Sequence, residues 1–255
     1  MFAVADNDKM GFYDYNASGD SVTWVKVVNG NSVQNPGTDA GLLYGISPRT
    51  GGGILIYNYN NTPTSLGDDT FAVLREANNI PSQAVISAAI DKDGVLWIGA
   101  ATGLRTLQNP KDAITAISPQ TENIVIEQNG LPEELFRDSS VLQITVDSGN
   151  QKWVSIDDGG VYYLSSDGQQ TFSHFTKANS PLPTDSVTDI KIDEKTGKIY
   201  FVTLDGIVTY QGDAVNVTSN FGDVLVYPNP VVYANYKGNV KIRGLAQKTN
   251  IRITD

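Results

Sequence analysis

Ile90-Asp91-Lys92-Asp93-Gly94-Val95-Leu96-Trp97-Ile98-Gly99, followed by Gly103-Leu104, is the stretch that decides the fold of this 255-residue chain. An apolar run ends in Asp-x-x-Gly, an order suited to a tight turn. The aspartate accepts from nearby backbone N–H groups and the glycine supplies positive φ. A second apolar run then returns antiparallel. The order recurs in Val146-Asp147-Ser148-Gly149-Asn150-Gln151-Lys152-Trp153-Val154, followed by Gly160-Val161-Tyr162. It recurs again in Ile192-Asp193-Glu194-Lys195-Thr196-Gly197-Lys198-Ile199-Tyr200-Phe201, followed by Gly206-Ile207. From aspartate to aromatic the spacing is six, six and seven residues.

A second marker precedes each unit: Asn78-Asn79-Ile80-Pro81, Asn129-Gly130-Leu131-Pro132 and Asn179-Ser180-Pro181-Leu182-Pro183, with leading asparagines 51 and 50 residues apart. Thr70-Phe71-Ala72-Val73-Leu74 and Thr171-Phe172-Ser173-His174-Phe175 supply matching outer strands. Four strands in a period of roughly 40–50 residues is the blade of a β-propeller. A β-sandwich has similar strand spacing, but no reason to repeat three markers in one order. A further blade is read upstream, with strands at Leu43-Tyr44-Gly45-Ile46 and Ile54-Leu55-Ile56-Tyr57 around a glycine turn. Phe2-Ala3-Val4-Ala5 and Gly11-Phe12-Tyr13-Asp14-Tyr15 match second and third strands of another. The expectation is an all-β chain: incomplete, four-stranded propeller blades over residues 1–217, the C-terminal part of a larger propeller.

After Val217 the pattern changes. Val224-Leu225-Val226-Tyr227-Pro228-Asn229-Pro230-Val231 carries two prolines, which cannot sit inside a central ladder. Asn239-Val240-Lys241-Ile242-Arg243 and Asn250-Ile251-Arg252-Ile253-Thr254 alternate as half-exposed strands do. Residues 218–255 are therefore expected to open an Ig-like β-sandwich of which only about three strands are present, too few to cover both faces.

Composition narrows the function classes. A net charge of −10 repels nucleic acid and anionic bilayers at long range. Cysteine is absent, which excludes disulfides, thiolate metal sites and cysteine nucleophiles. No apolar run is long enough for a membrane-spanning helix.

The blades resemble the regulator-propeller repeats of bacterial surface sensors, in Asp91-Lys92-Asp93-Gly94, Leu96-Trp97-Ile98-Gly99 and the Asn-x-Leu-Pro linker. The tail resembles the C-terminal sorting domain of the type IX secretion system of Bacteroidetes. The residues that carry this are Tyr227-Pro228-Asn229-Pro230, then Val240-Lys241-Ile242-Arg243-Gly244-Leu245, then Ile251-Arg252-Ile253-Thr254-Asp255. Propeller followed by sorting domain is similar to the PorZ-like family of that system. The resemblance implies a non-enzymatic, surface or outer-membrane-associated module without cofactor. Its implied partners are secretion-complex proteins (the sortase PorU and the barrel protein PorV) and the anionic lipopolysaccharide that the sortase attaches to cargo. A sorting domain normally continues beyond the final aspartate, and here it does not.

The titratable residues fit the same picture. His174 is the only histidine, so a Ser-His-Asp triad would have to use it; in an edge strand between aromatics it reads as structural. The pairs Asp91/Asp93, Asp157/Asp158 and Asp193/Glu194 fall at turns. Recurrence argues for turn chemistry rather than catalysis. Asp157 and Asp158, in the least turn-like of these segments, are the calcium candidates. Trp97, Trp153 and Tyr200 recur at one strand position and are expected in the core. Gly51-Gly52-Gly53 lacks the Lys-Ser/Thr of a phosphate loop and reads as a hairpin. Lys9, Lys26, Arg49, Arg75 and Arg105 are scattered, whereas Lys237, Lys241, Arg243, Lys248 and Arg252 make the tail basic. Lys241, Arg243 and Arg252 are the candidates for an anionic ligand.

Two other functions share these features. A periplasmic glycan-sensing propeller of a hybrid two-component regulator would continue into a transmembrane helix. A propeller lyase or glycosidase needs a unique polar cluster at the propeller centre.

Overall fold

The computed structural model describes residues 33–39, 41–49, 51–62, 65–128, 130–215, 223–230, 240–245 and 249–252, and, as backbone, 2–6, 9–16 and 21–26. The structure is built from antiparallel meanders. β1 (Phe2–Asp6), β2 (Lys9–Asn16) and β3 (Ser21–Lys26) form the first sheet. β4 (Gln34–Asp39), β5 (Leu42–Ser47), β6 (Gly53–Asn58) and β7 (Thr70–Leu74) form the second. β8 (Val85–Ile90), β9 (Leu96–Ala100) and β10 (Gly103–Leu107) form the third, whose outer strand is reduced to a bridge between Thr106 and Glu122. A separate hairpin, β11 (Val125–Gln128) and β12 (Leu131–Glu134), follows. β13 (Val141–Val146), β14 (Lys152–Ile156), β15 (Gly160–Leu164) and β16 (Thr171–Phe175) make the fourth sheet. β17 (Asp189–Asp193), β18 (Lys198–Thr203) and β19 (Gly206–Gln211) make the fifth. The expected outer strands at Thr70 and Thr171 are thus present.

First strands of successive sheets lie against one another, β8 on β13 and β13 on β17. Side chains stitch them: Ser87 Oγ donates to the Val141 carbonyl at 2.9 Å, and Thr145 Oγ1 to the Ile190 carbonyl at 3.0 Å. Alternation along the strands puts a core between the second and third, the third and fourth, and the fourth and fifth sheets. Leu96, Ile98 and Ala100 face the preceding blade, together with Leu42, Ile54 and Ile56. Trp97 faces the following one, with Val141, Ile144 and Val154. Trp153 faces the next, with Val187, Ile190, Ile199 and Phe201. Strand β9 is consequently buried on both faces, like a strand sandwiched in a stack rather than one open to water.

Two expectations are corrected. Tyr200 holds the ladder position of Trp97 and Trp153: each pairs with the residue two before its turn aspartate. Trp97 and Trp153 are 2% and 1% exposed, but Tyr200 is 36% exposed. Among the described residues, no sheet covers the face it shares with exposed Ile207. The marker at Leu131-Pro132, read as a linker like its counterparts, instead forms strand β12; Asn129 itself lies outside the described residues.

In the tail, β20 (Leu225–Tyr227) pairs with β21 (Lys241–Arg243). The chain leaves the ladder at Pro228, whose ring removes a backbone donor. Ile251 and Arg252 are exposed and not in a strand. Val217, Val231, Lys237, Asn239, Lys248 and the last residues, 253–255, lie outside the described residues.

Candidate functional site

The recurring aspartates build the blade turns. Asp91 Oδ1 accepts from the N–H of Asp93 and of Val95, at 2.9 and 3.0 Å, while Oδ2 takes the indole N–H of Trp97 at 2.9 Å. Asp147 repeats the pattern, with the N–H of Gly149 and of Gln151 and the Trp153 indole at 2.8, 3.0 and 3.3 Å. The six-residue spacing thus exists so that the carboxylate can close its turn and satisfy the buried indole. The upstream asparagines repeat as well. Asn78 Oδ1 accepts from the Arg75 N–H, and Asn179 Oδ1 from the Thr176 N–H.

One position breaks the repeat. The residue before the aromatic is Leu96 in one blade and Ile199 in another, but Lys152 in the blade between. Lys152 is fully buried, and its Nζ lies 2.7 Å from Asp91 Oδ2 of the preceding blade. It also donates to the Asn150 and Ser166 carbonyls at 2.8 and 2.5 Å, and sits 4.8 Å from the Trp97 ring centre. All three ammonium protons therefore have acceptors, which is what makes such burial tolerable. Burial disfavours the Asp91 anion, but the bonds from Lys152, Val95 and Trp97 outweigh it and hold the carboxyl below the usual carboxylate range. Asn150 adds a second link, accepting from the Lys92 N–H at 2.9 Å and donating to Asp93 at 2.7 Å.

Above this pair lies a cleft of about 360 Å³, lined among others by Asp93, Glu122, Asp167, Gln108, Asn123 and Gln169, with Trp97 beneath. Its rim is polar and acidic, suited to hydrogen-bonding or cationic groups and unsuited to phosphate. Nothing in the repeat singles out Glu122 or Asp167, because they come from connections that differ between blades. Lys152 was detectable as a lone cation where the other repeats carry Leu and Ile.

The remaining candidates are spread apart. Asp157 and Asp158 lie in the β14–β15 hairpin turn, correcting their reading as the least turn-like segment: Asp158 has φ 53° and the Gly159 N–H bonds the Ile156 carbonyl. Asp157 Oδ1 accepts from Ser186 at 3.2 Å. Among the described residues no three His, Asp or Glu side chains converge as a metal set. His174 stacks on Tyr162 and its Nε2 lies 2.7 Å from the Gly159 carbonyl, so it braces the same turn. Asp193 is satisfied within its turn by the Lys195 N–H and the Thr196 hydroxyl. Gly52 closes the β5–β6 hairpin through the Arg49 carbonyl. Arg105 is buried and pairs with Glu134. Lys241 and Arg243 lie on β21, while Arg252 is exposed elsewhere in the tail.

A family model described as the two-component regulator propeller matches residues 79–102, the segment from Asn79 through the Asp91 turn to β9. The structure is similar to that of PorZ, an essential bacterial surface component of the type IX secretion system of Porphyromonas gingivalis, with TM-score 0.68 and 24% identity over 96% of this chain. The fold is a PorZ-like propeller. The chain spans 36% of the length of that PorZ. The extracellular domain of a provisionally assigned hybrid two-component system from B. thetaiotaomicron matches with TM-score 0.50 and 15% identity over 87% of this chain and 30% of its own. A provisional gluconolactonase matches with TM-score 0.51 and 11% identity over 82% and 68%. No curated protein sequence matches the chain. The PorZ-like propeller has no helix long and apolar enough to cross a membrane among its described residues.

Proposed function

We propose that this chain is a non-catalytic binding and scaffold module of a PorZ-like component of the cell surface. The similarity to PorZ along 96% of the chain carries the proposal. It is supported by the chemistry of the blades. The one histidine, Asp91, Asp147 and the indoles of Trp97 and Trp153 are engaged in closing turns, which supports a structural role for them.

In this proposal residues 218–255 open a sorting-type domain, marked by Tyr227-Pro228-Asn229-Pro230. Secretion-complex proteins are the partners. Anionic lipopolysaccharide is bound through the tail cations Lys241, Arg243 and Arg252, because the interblade cleft is acidic. The test is retention of purified anionic lipopolysaccharide, and of the sortase and its barrel partner, on the immobilised chain. The expected result is retention of both, with lipopolysaccharide lost on charge reversal of Lys241, Arg243 and Arg252. Retention of neither overturns the proposal. The match to the two-component regulator propeller over residues 79–102 favours a second reading, a glycan-sensing module. Saturable binding of neutral oligosaccharides, without lipopolysaccharide or partner binding, would select it.

A further inference from the structure

Whatever is common to every blade serves folding, so a feature present once is where a partner should be sought. The β11–β12 hairpin is such a feature. Its two strands pair only with each other among the described residues.

Its base is held firmly. Ile124 and Leu135 are buried in the core between the third and fourth sheets. Arg105 binds the Glu134 carboxylate and donates through Nε to the Asn79 carbonyl at 2.9 Å. The strands beyond that base are largely exposed: Val125 is 46% and Leu131 63% accessible.

The edges of the hairpin are unequal. The Leu135 N–H donates to the Ile124 carbonyl at 2.8 Å, so that pair is hydrogen-bonded. Hydrogen-bonded and non-bonded pairs alternate along an antiparallel ladder. With the register Val125↔Glu134, Ile126↔Glu133, Glu127↔Pro132 and Gln128↔Leu131, Ile126 and Gln128 direct their backbone polar groups at β12. Val125 and Glu127 direct theirs outward. On the far side Pro132 and Glu134 point outward too, but Pro132 has no N–H, and the Glu134 carbonyl accepts from the Arg137 N–H. The β12 edge is blunted. The β11 edge keeps its donors and acceptors, and among the described residues no bond outside the ladder occupies them.

The charge on this edge selects the occupant. Glu127 and Glu133 are exposed, one on each face of the hairpin, and neither has an ion-pair partner among the described residues. Exposed Val125 shares the face of Glu127, and exposed Leu131 that of Glu133.

We propose that the β11 edge docks an extended segment of a partner protein, alternating β-branched and lysine or arginine residues, which adds to the hairpin as a third strand. Backbone bonds to Val125 and Glu127 supply the attachment, and a cation beside Glu127 supplies the selectivity. Because the hairpin is anchored before the partner arrives, little ordering is left for binding to oppose. The site is separate from the tail cations, so its fate does not follow theirs.

The test uses the whole chain and a labelled peptide alternating lysine and threonine with valine, followed by fluorescence anisotropy and by hydrogen exchange of the Val125 and Glu127 amides. The wild-type chain should bind it, protect both amides, and lose affinity between about 0.05 M and about 0.5 M salt. Glu127→Pro removes an outward N–H opposite a proline the hairpin already accommodates, and should lower affinity about tenfold or more. Glu127→Lys leaves the backbone edge intact and should weaken the lysine peptide while admitting a glutamate version. No binding to the wild-type chain, or equal binding to Glu127→Pro, overturns the proposal. So does indifference to the sign of the peptide charge.

Discussion

Lys152 reaches from its own blade into the turn of the preceding one and lies 2.7 Å from Asp91, with both side chains out of solvent. Removing one member strands the other. Lys152→Leu, which restores the residue type at Leu96, should therefore destabilise the chain by about 3–5 kcal/mol. Adding Asp91→Asn should cost much less than the sum of the two single changes. Urea unfolding of the wild type, both single variants and the double variant measures this. Additive losses would mean the pair is not coupled.

The same pair sets an acid response. The folded-state carboxyl of Asp91 lies below its unfolded value. The stability it contributes is therefore present above the unfolded carboxylate pKa of about 4 and is lost as pH falls through the lower folded value. The urea midpoint should drop below about pH 4. The drop should be shallower in Lys152→Leu, where Asp91 has lost the cation that favours its charge. Equal slopes in the two proteins would assign the acid transition to other groups.

Equivalent ladder positions should respond differently. Trp153 packs against Tyr163, Phe175, Phe201 and Tyr210, so Trp153→Ala should cost about 3–5 kcal/mol. Tyr200→Ala, on the uncovered face, should cost less than about 1 kcal/mol. A thermal melt of each variant decides. A large loss at Tyr200 would show that something covers that face in solution.

Two turn glycines offer a matched pair. At Gly94 (φ 81°) a side chain meets open space, whereas at Gly160 (φ 74°) a Cβ would lie 2.1 Å from the Phe175 carbonyl oxygen. Gly94→Ala should cost about 1 kcal/mol, the backbone preference alone. Gly160→Ala should cost more than about 2 kcal/mol and loosen the β15–β16 pairing. Chemical denaturation of both variants checks the ranking.

The propeller was legible in the sequence because blade turns have a fixed chemistry: Asp91 and Asp147 must bond backbone N–H groups, and Trp97 and Trp153 must find a carboxylate. The aromatic at Tyr200 follows the same pattern, but exposure depends on a neighbouring sheet and not on the residue itself. Asn129-Gly130-Leu131-Pro132 matched its counterparts in letters, yet the ladder that Leu131 and Pro132 enter is made by Val125–Gln128, a strand with no counterpart in the other blades among the described residues. The cleft has no signature in the sequence for a related reason. Glu122 and Asp167 are 45 residues apart in the chain and meet only because two blades abut. The tail was read from Tyr227-Pro228-Asn229-Pro230 and the alternating runs at Val240 and Ile251; Leu225–Tyr227 and Lys241–Arg243 do pair as strands, whereas Ile251 and Arg252 lie outside any strand.

The lysine at position 152 also bears on how like units find their places. Blades with one backbone pattern can in principle stack in any order, and a chain of them risks closing on the wrong neighbour. Here adjoining faces carry different locks. An ammonium and a carboxylate meet at one junction, while at the next Ile199 and Phe201 meet the indole of Trp153. Exchanging two blades would press a cation into an aromatic nest and leave an orphaned anion behind. The substitution that interrupts the repeat thus works as an address, fixing which blade may follow which.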